Sequence, residues 1–385
     1  MKIIQVQTQA EAGGAQRISD MLGEGLRARG HDVRTVFLYR KTDVYDRDPY
    51  ADFILAEPPR GAFGQMRAVL GLVGYMRKAR PDAVLSFQHY GNIAGTLAAR
   101  FCGAATIVAN QSGAPQAHGM RGLLTRIDRL MGRVGLYHRN VVNSAWTQTQ
   151  FDAFPAAYRK RLHRIDHGVA VPTRAFDRTA ARKAFGLPHG ATIVLSSGRL
   201  APSKNQAALV RALALIPDVH LAIAGAGPEE AHLVALAETL HVRSRLHLVG
   251  EVPPARIFEF LAAGDVYAFA SMTETFGLAA VEAAVAGLPV VAADLDVLKE
   301  VLTTAEGAPA ALFVPSDADG LAAGLTALFS DPKLAASLSV AGRRLRRQYA
   351  PDGMCAAYEA LLLPGRLRTT AMPSITSSGP ERLSV

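Results

Sequence analysis

The feature that most constrains this chain is a pattern it carries twice: a short strand-like run, a glycine-rich loop, then a helix. "KIIQVQT" leads into "QAEAGGAQ" and on to "RISDMLGEGLRARG", which Gly30 closes. Much further along, "ATIVLSSG" leads into "RLAPSKNQ" and "AALVRALALI", which Pro217 ends. Between and beyond them β-rich runs alternate with helical ones: "VRTVFL", "AVLSF", "ATIVA" and "NVVN", then "HLAIAG", "RLHLVG", "VYAFA" and "LPVVA". Such alternation builds parallel sheets with helices on both faces. Two openings predict two doubly wound, Rossmann-like α/β domains in tandem, not one large sheet.

Gly, Pro and Thr cluster in "DHGVAVPTRAF", after the strand-like "LHRI", and mark the boundary. The expected division is a first domain over 1–168, a second over 169–347, and a helix over 348–363 that crosses back to the first. The segment 364–385 turns to Thr, Ser, Pro and Arg and is expected to be a disordered tail. With 385 residues, 49% hydrophobic and 19% charged, the chain has globular composition and enough length for both domains. No apolar run reaches the roughly 18 residues a membrane-spanning helix needs. The opening "MKIIQVQTQAEAGG" turns polar at once and reads as a first strand, not a secretory signal. Cys102 and Cys355 have no metal-ligating neighbours in sequence, so neither a disulfide framework nor a zinc site is expected, and the cytoplasm is the expected compartment.

The formal charge of +9 is concentrated. Over 121–164 the chain has nine Lys and Arg residues against Asp128 and Asp152. One reading is a basic face for anionic lipid or an anionic acceptor. The other is a solvated helix face, with Leu123, Ile127, Leu130, Met131 and Val134 as the buried stripe of the same helix. Aromatics are too sparse there for a nucleic-acid platform, so no nucleic-acid partner is expected.

In doubly wound sheets ligands bind outside the carboxyl ends of the strands, so two facing domains would share a cleft there. "SSGRLAPSKNQ" places Gly198, Arg199 and Lys204 at such a strand end, beside a helix start, where two cations suit a diphosphate. Taken alone, they also fit two ordinary surface cations. Gly225 and Gly227 in "AGAGP" let the chain turn tightly next to a ligand, and Gly13 and Gly14 do the same in the first loop, or merely make a tight turn. "MTETFGLAAVEAAVAGLPVV" holds two glutamates in an otherwise small and apolar run. A loop over 272–277 and a helix from Leu278 to Ala286, capped by Gly287, put Glu274 in the cleft and Phe276, Gly277 and Leu278 at a helix N-terminus. Glu282 then lies one turn into an apolar helix and needs a polar partner: vicinal ribose hydroxyls, or a neighbouring Arg or backbone amide.

"GRLAPSKNQ", "AGAGP", "LVGEVP" and "ETFGLAAVEAAVAGLPVVA", in that order and spacing, resemble the nucleotide-binding domain of family-4 glycosyltransferases, retaining enzymes of the two-domain GT-B fold. "GGAQR", "NVVNSAWTQ" and "DHGV" fit the same resemblance, which runs from Met1 to about Leu363. It implies a cytoplasmic enzyme, peripheral at a membrane if the basic segment acts there. It would move a sugar from a nucleotide-sugar donor, UDP- or GDP-linked, to a glycan or lipid-linked acceptor of the bacterial cell surface. By that resemblance Arg199 and Lys204 hold the donor diphosphate and Glu282 the ribose. Glu274, Phe276, Gly277 and Leu278 contact the sugar and phosphates, and Gly13 and Gly14 approach from the first domain. The family usually needs no metal or other cofactor; two cations can neutralise the leaving diphosphate instead.

The chain also departs from that pattern. Many relatives carry a histidine after the strand equivalent to "ATIVA"; here Asn110, Gln111 and Ser112 follow, and His118 comes late. His89, at the end of another strand, is the preferred candidate to contact the sugar, ahead of a histidine that merely caps a loop. Asp294 and Asp296 stand where relatives often have glycines. The alternatives on the same scaffold are a sugar-nucleotide epimerase and a catalytically silent nucleotide-binding relative.

Overall fold

The computed structural model describes residues 1–363 apart from 12, 112 and 116–118, with side chains left out at 119–121. His118, Ser112 and the expected tail over 364–385 lie outside the described residues. The first sheet contains β1 (Lys2–Ala10), β2 (Asp32–Arg40), β3 (Ala51–Leu55), β4 (Ala83–Phe87), β5 (Thr106–Gln111), β6 (Arg139–Val142) and β7 (Leu162–Arg164). All pair in parallel, in the order β3-β2-β1-β4-β5-β6-β7. Its helices are α1 (Gly14–Ala28), α2 (Gly61–Ala79), α3 (His89–Phe101), α4 (Gly119–Val134), and the short α5 (Ala145–Thr149) and α6 (Ala156–Arg159).

The second sheet holds β8 (Thr192–Ser197), β9 (Val219–Ala224), β10 (Leu246–Gly250), β11 (Val266–Phe269), β12 (Val290–Ala293) and β13 (Leu312–Val314). It too is parallel, ordered β10-β9-β8-β11-β12-β13. Around it lie α7 (Arg178–Ala184), α8 (Gln206–Leu215), α9 (Glu230–Thr239), α10 (Ile257–Ala262), α11 (Leu278–Ala286), α12 (Asp296–Val301), α13 (Ala318–Ser330) and α14 (Pro332–Gln348). The expected class, two doubly wound α/β domains, is what the chain forms. Strands β3, "ADFIL", and β13, "LFV", are additional to the expected strands.

Period-2 alternation splits each strand between two apolar layers. In β1, Ile3 faces α1 while Ile4 and Val6 face α2 and α3. The last helix, α15 (Pro351–Leu362), returns to the first domain and packs on α1 and β5. Its Met354, Cys355 and Tyr358 join the cluster of Ile3, Ile18 and Leu22. A side chain at Gly25 would meet Cys355 Sγ at 2.3 Å, so glycine lets α1 and α15 approach.

Helix α4 corrects the expected stripe. Met131 is buried and Ile127 half-buried, but Leu123, Leu130 and Val134 are 50%, 58% and 60% exposed. The inward position goes to Asp128, whose carboxylate accepts from Tyr158 Oη at 2.5 Å, Gln111 Nε2 at 3.2 Å and Tyr137 Oη at 3.4 Å. Gly132 makes room for both tyrosines, since a side chain there would lie 2.2 Å from Tyr158 and 2.3 Å from Tyr137. A buried polar centre, not the apolar stripe, sets the rotation of this helix.

The glycines after β8 and β9 have a backbone reason. Gly198 N–H donates to the Ala224 carbonyl and Leu200 N–H to that of Ala226. A Cβ at Gly225, whose φ is +149°, would lie 2.0 Å from the Gly198 oxygen, and one at Gly227 2.2 Å from the Leu200 oxygen. Gly225 and Gly227 therefore weld two neighbouring loops together, which gives them a packing role. Gly225→Ala should lower unfolding free energy by about 3 kcal/mol through overpacking and backbone strain, measured by urea denaturation.

Candidate functional site

The carboxyl ends of both sheets face one another across a cavity of ≈ 190 Å³. From the first domain, Gly14, Ala15 and Ile18 of α1, Phe87, Asn110, Gln111 and Val141 to Asn143 line it; from the second come Glu274 to Leu278, with His167 from the connection and Tyr358 from α15. Gly14 opens onto free space, with nothing within 4 Å of where a Cβ would stand. It is thus a point where a ligand can approach the backbone.

On the second-domain side of the cavity, α11 has the expected limits. Helix α11 starts at Leu278 behind Gly277, a left-handed N-cap with φ +77°, and ends at Gly287, with φ +94°. Gly277 makes no side-chain cap bond, and the cavity opens next to it. Lys204 Nζ donates to Glu274 Oε1 at 2.5 Å and lies 5.9 Å from the centre of the Phe269 ring. Asn205 adopts a left-handed conformation and pins this loop by donating to the carbonyls of Ala270 at 3.2 Å and Ser316 at 2.8 Å. Met272 N–H reaches the Ser203 carbonyl at 2.9 Å, tying the two loops together. The structure thus joins Lys204 to Glu274. Arg199, in the same loop, is exposed, and neither it nor Gly198 lines the cavity.

Glu282 is 2% exposed, and its partner is Arg17. Arg17 Nη1 donates to Glu282 Oε2 at 3.0 Å, and Nη2 donates to Oε1, a bidentate pair across the two domains. Burial raises the Glu282 pKa, and the Arg17 guanidinium opposes that shift. Of the partners open from sequence, the structure shows the arginine. Gly13 caps α1 with an extended backbone and makes no side-chain cap bond.

His89 opens α3 behind Gln88, whose φ is +65° and whose Oε1 accepts from Thr8 N–H at 3.3 Å. The ring lies beside Gly113 in the loop after β5, and His89 is not among the residues lining the cavity. Among the described residues, His167 is the histidine that lines it. Asn143 Nδ2 donates to His167 Nε2 at 3.1 Å, and burial pushes the ring pKa down to about 4, so the ring is neutral. It packs against Phe276 with centroids 5.0 Å apart. Asp294 pairs with Lys299, and Asp296 begins α12 without a side-chain cap bond.

Sequence reasoning missed the residues that hold the domains in register. Ser144 Oγ donates to the Thr275 carbonyl at 2.8 Å, and Thr147 Oγ1 does so at 3.1 Å. Glu300 accepts from Ala145 N–H at 2.7 Å and Trp146 N–H at 2.8 Å. The signals were there: an Arg one turn after the glycine pair of "GGAQR", and S-x-x-T at a helix start in "SAWT".

Residues 177–345 match the family described as Glycosyl transferases group 1. The D-inositol 3-phosphate glycosyltransferase of Mycolicibacterium gilvum is 35% identical over 202 residues, 50% of this chain and 45% of that protein. That of Xylanimonas cellulosilytica is 34% identical over 209 residues, 51% and 50%. The chain thus spans half or less of the length of these curated relatives. Among solved structures, Anabaena Alr3699/HepE with UDP and glucose superposes with a TM-score of 0.79 at 19% identity, covering 93% of this chain and 98% of that one. WaaG, a glycosyltransferase involved in lipopolysaccharide biosynthesis, gives 0.73 at 16% identity, covering 94% and 100%. The fold is that of GT-B glycosyltransferases.

Asp128 beside the cavity offers a test of its electrostatics. Burial raises its pKa from 3.8 to about 6, against its hydrogen bonds to Tyr158, Gln111 and Tyr137. Because the folded pKa is the higher, its contribution to stability is full below the unfolded value and is lost as pH rises through about 6. Asp128→Asn should remove that loss, making the variant more stable than wild type at pH 7.5 relative to pH 4.5 by on the order of 2–3 kcal/mol in urea titrations.

Proposed function

We propose that this protein is a retaining glycosyltransferase of the family-4 type. It would transfer a sugar from a nucleotide-diphosphate sugar to a glycan or glycolipid acceptor in bacterial cell-surface polysaccharide or lipopolysaccharide synthesis. The observation that carries this reading is a pair of carboxylates on one loop and helix: Glu274, which lines the cavity between the sheets and pairs with Lys204, and the buried Glu282, which pairs with Arg17 across the domains. The match of residues 177–345 to group 1 glycosyl transferases supports it.

In this reading the diphosphate lies by Lys204 and Arg199, which neutralise the charge that develops as the sugar–phosphate bond breaks, without a metal. The ribose hydroxyls bind Glu282 and the sugar hydroxyls Glu274. The amides behind Gly277 face the phosphates at the start of α11. The acceptor hydroxyl enters from the first-domain wall of Phe87, Asn110, Gln111 and His167 and attacks on the face the phosphate leaves. His89 is a sugar contact only if it reaches the cavity from beside Gly113.

The calorimetric test uses UDP, GDP and ADP with wild type and Lys204→Met. One diphosphate should bind, and the variant should bind it at least about tenfold more weakly, the loss of one charge-assisted hydrogen bond. NMR of the product formed from the matching nucleotide sugar should show retained anomeric configuration. An inverted product, or a nucleotide sugar isomerised at a sugar carbon, would replace this reading with an inverting transferase or an epimerase; binding without turnover would leave a silent relative, and no binding at all would remove the donor reading.

The acceptor side adds a surface reading: this face docks on anionic lipid headgroups. Arg126, Arg129 and Arg133 are exposed beside Leu123, Leu130 and Val134 on α4. Helices α2, α3 and α4 lie side by side, and α2 exposes Phe63, Met66 and Leu70 with no acidic residue along its length. Apolar side chains set among cations suit an anionic membrane surface. No described helix is long and apolar enough to cross a membrane. Co-sedimentation with vesicles containing anionic lipid should exceed that with zwitterionic vesicles, fall with added salt and be lost in Leu130→Asp. Equal binding to both kinds of vesicle would sink the idea.

A further inference from the structure

Two ion pairs hold the charges beside the cleft. Lys204 holds Glu274 within the second domain, and Arg17 holds Glu282 across the two domains. The first cation belongs to the donor reading above; the second does not, and nothing in that reading uses it. Among the described residues, Arg17 supplies every hydrogen bond that Glu282 accepts.

That arrangement conflicts with a donor whose ribose binds Glu282. The two guanidinium N–H groups take only one acceptor site on each carboxylate oxygen, but with Glu282 2% exposed and Arg17 against both oxygens, vicinal hydroxyls reach them only if Arg17 gives way. The exchange leaves the carboxylate satisfied, since two hydroxyl donors replace two N–H donors. It leaves the guanidinium in need of an anion, because its partner is now spent. A nucleoside diphosphate brings that anion with it, and planar guanidinium is matched to phosphate oxygens in the same bidentate way as to a carboxylate. Arg17 stands one turn into α1, whose first residues Gly14 and Ala15 line the cavity, so it stays at the cleft wherever it turns.

We propose that Arg17 is a donor-binding residue that changes partners: it holds Glu282 while the cleft is empty, and it pairs with the donor's diphosphate once the ribose takes Glu282. The inference rests on the nucleotide-sugar reading and adds a first-domain ligand to it. It also makes the ligand a link between domains. A nucleoside without phosphates breaks the Arg17–Glu282 pair and returns nothing, whereas a nucleoside diphosphate replaces one interdomain contact with another.

The test is the ratio of affinities of a nucleoside diphosphate and its own nucleoside, measured by calorimetry with UDP and uridine, GDP and guanosine, and ADP and adenosine. In Arg17→Met the diphosphate that binds wild type should weaken about tenfold or more, while its nucleoside binds at least as tightly as before. Arg17→Met leaves a buried carboxylate without a partner and can fail to fold. The double variant Arg17→Met, Glu282→Gln removes that burden, and in it the diphosphate-to-nucleoside ratio should show the same fall. An unchanged ratio in either variant would mean that Arg17 only neutralises Glu282, and a ratio that rises would make it a plain competitor; both overturn the proposal. If wild type binds none of the three diphosphates, the donor reading itself fails, a result distinct from a diphosphate that binds with an Arg17-independent ratio.

Discussion

A carboxylate with 2% of its surface exposed, on a helix of Ala and Val, cannot stay ionised without a partner, and at Glu282 that partner comes from the other domain. The pair fixes where the first turn of α1 stands relative to α11. Buried ion pairs of this kind add little net stability, because desolvation offsets most of the attraction, but breaking one by removing a partner costs about 3–5 kcal/mol. Its effect is therefore to specify an orientation. Other contacts between domains follow the same plan: Ser144 and Thr147 hold the Thr275 carbonyl, and Glu300 holds the amides that open α5.

Apolar exchange between the domains is small and reciprocal. Leu278 packs against the first-domain cluster around Ile18 and Phe87, and Trp146 packs against the cluster of the second domain. Helix α15 then returns the chain to α1 and β5 of the first domain. An interface with two apolar anchors and many hydrogen bonds resembles a transient one, for which relative motion is the default expectation. The cleft between the sheet edges is thus held by contacts that a polar ligand can imitate.

How much of this was legible in the sequence depended on whether a feature was local. The doubled strand–loop–helix pattern is local, and it gave the two parallel sheets. The limits of α11 are local too: Gly277 and Gly287 both take left-handed conformations, and the helix lies between them. Glu282 showed only that a partner was needed, because the choice between a ligand and an arginine is made by the other domain. Gly225 and Gly227 stood out correctly as glycines under constraint. The cause is a carbonyl on the neighbouring loop, which no reading of "AGAGP" alone could reveal. "ADFIL" is only five residues long between acidic and proline-rich neighbours, and it becomes β3 where β2 offers it an edge.

Helix α4 shows where periodicity itself misleads. Its apolar residues recur at helical spacing and so predict a buried stripe. Yet the helix turns Asp128 inward, because Tyr137, Tyr158 and Gln111 can satisfy a carboxylate there and water need not. Once Asp128 is inside, Leu123, Leu130 and Val134 must face out, whatever covers them. Gln111, held through its Nε2 by that same carboxylate, lines the cavity. The exposed apolar face and the cavity wall are therefore two sides of one helix layer. A single buried acid determines both.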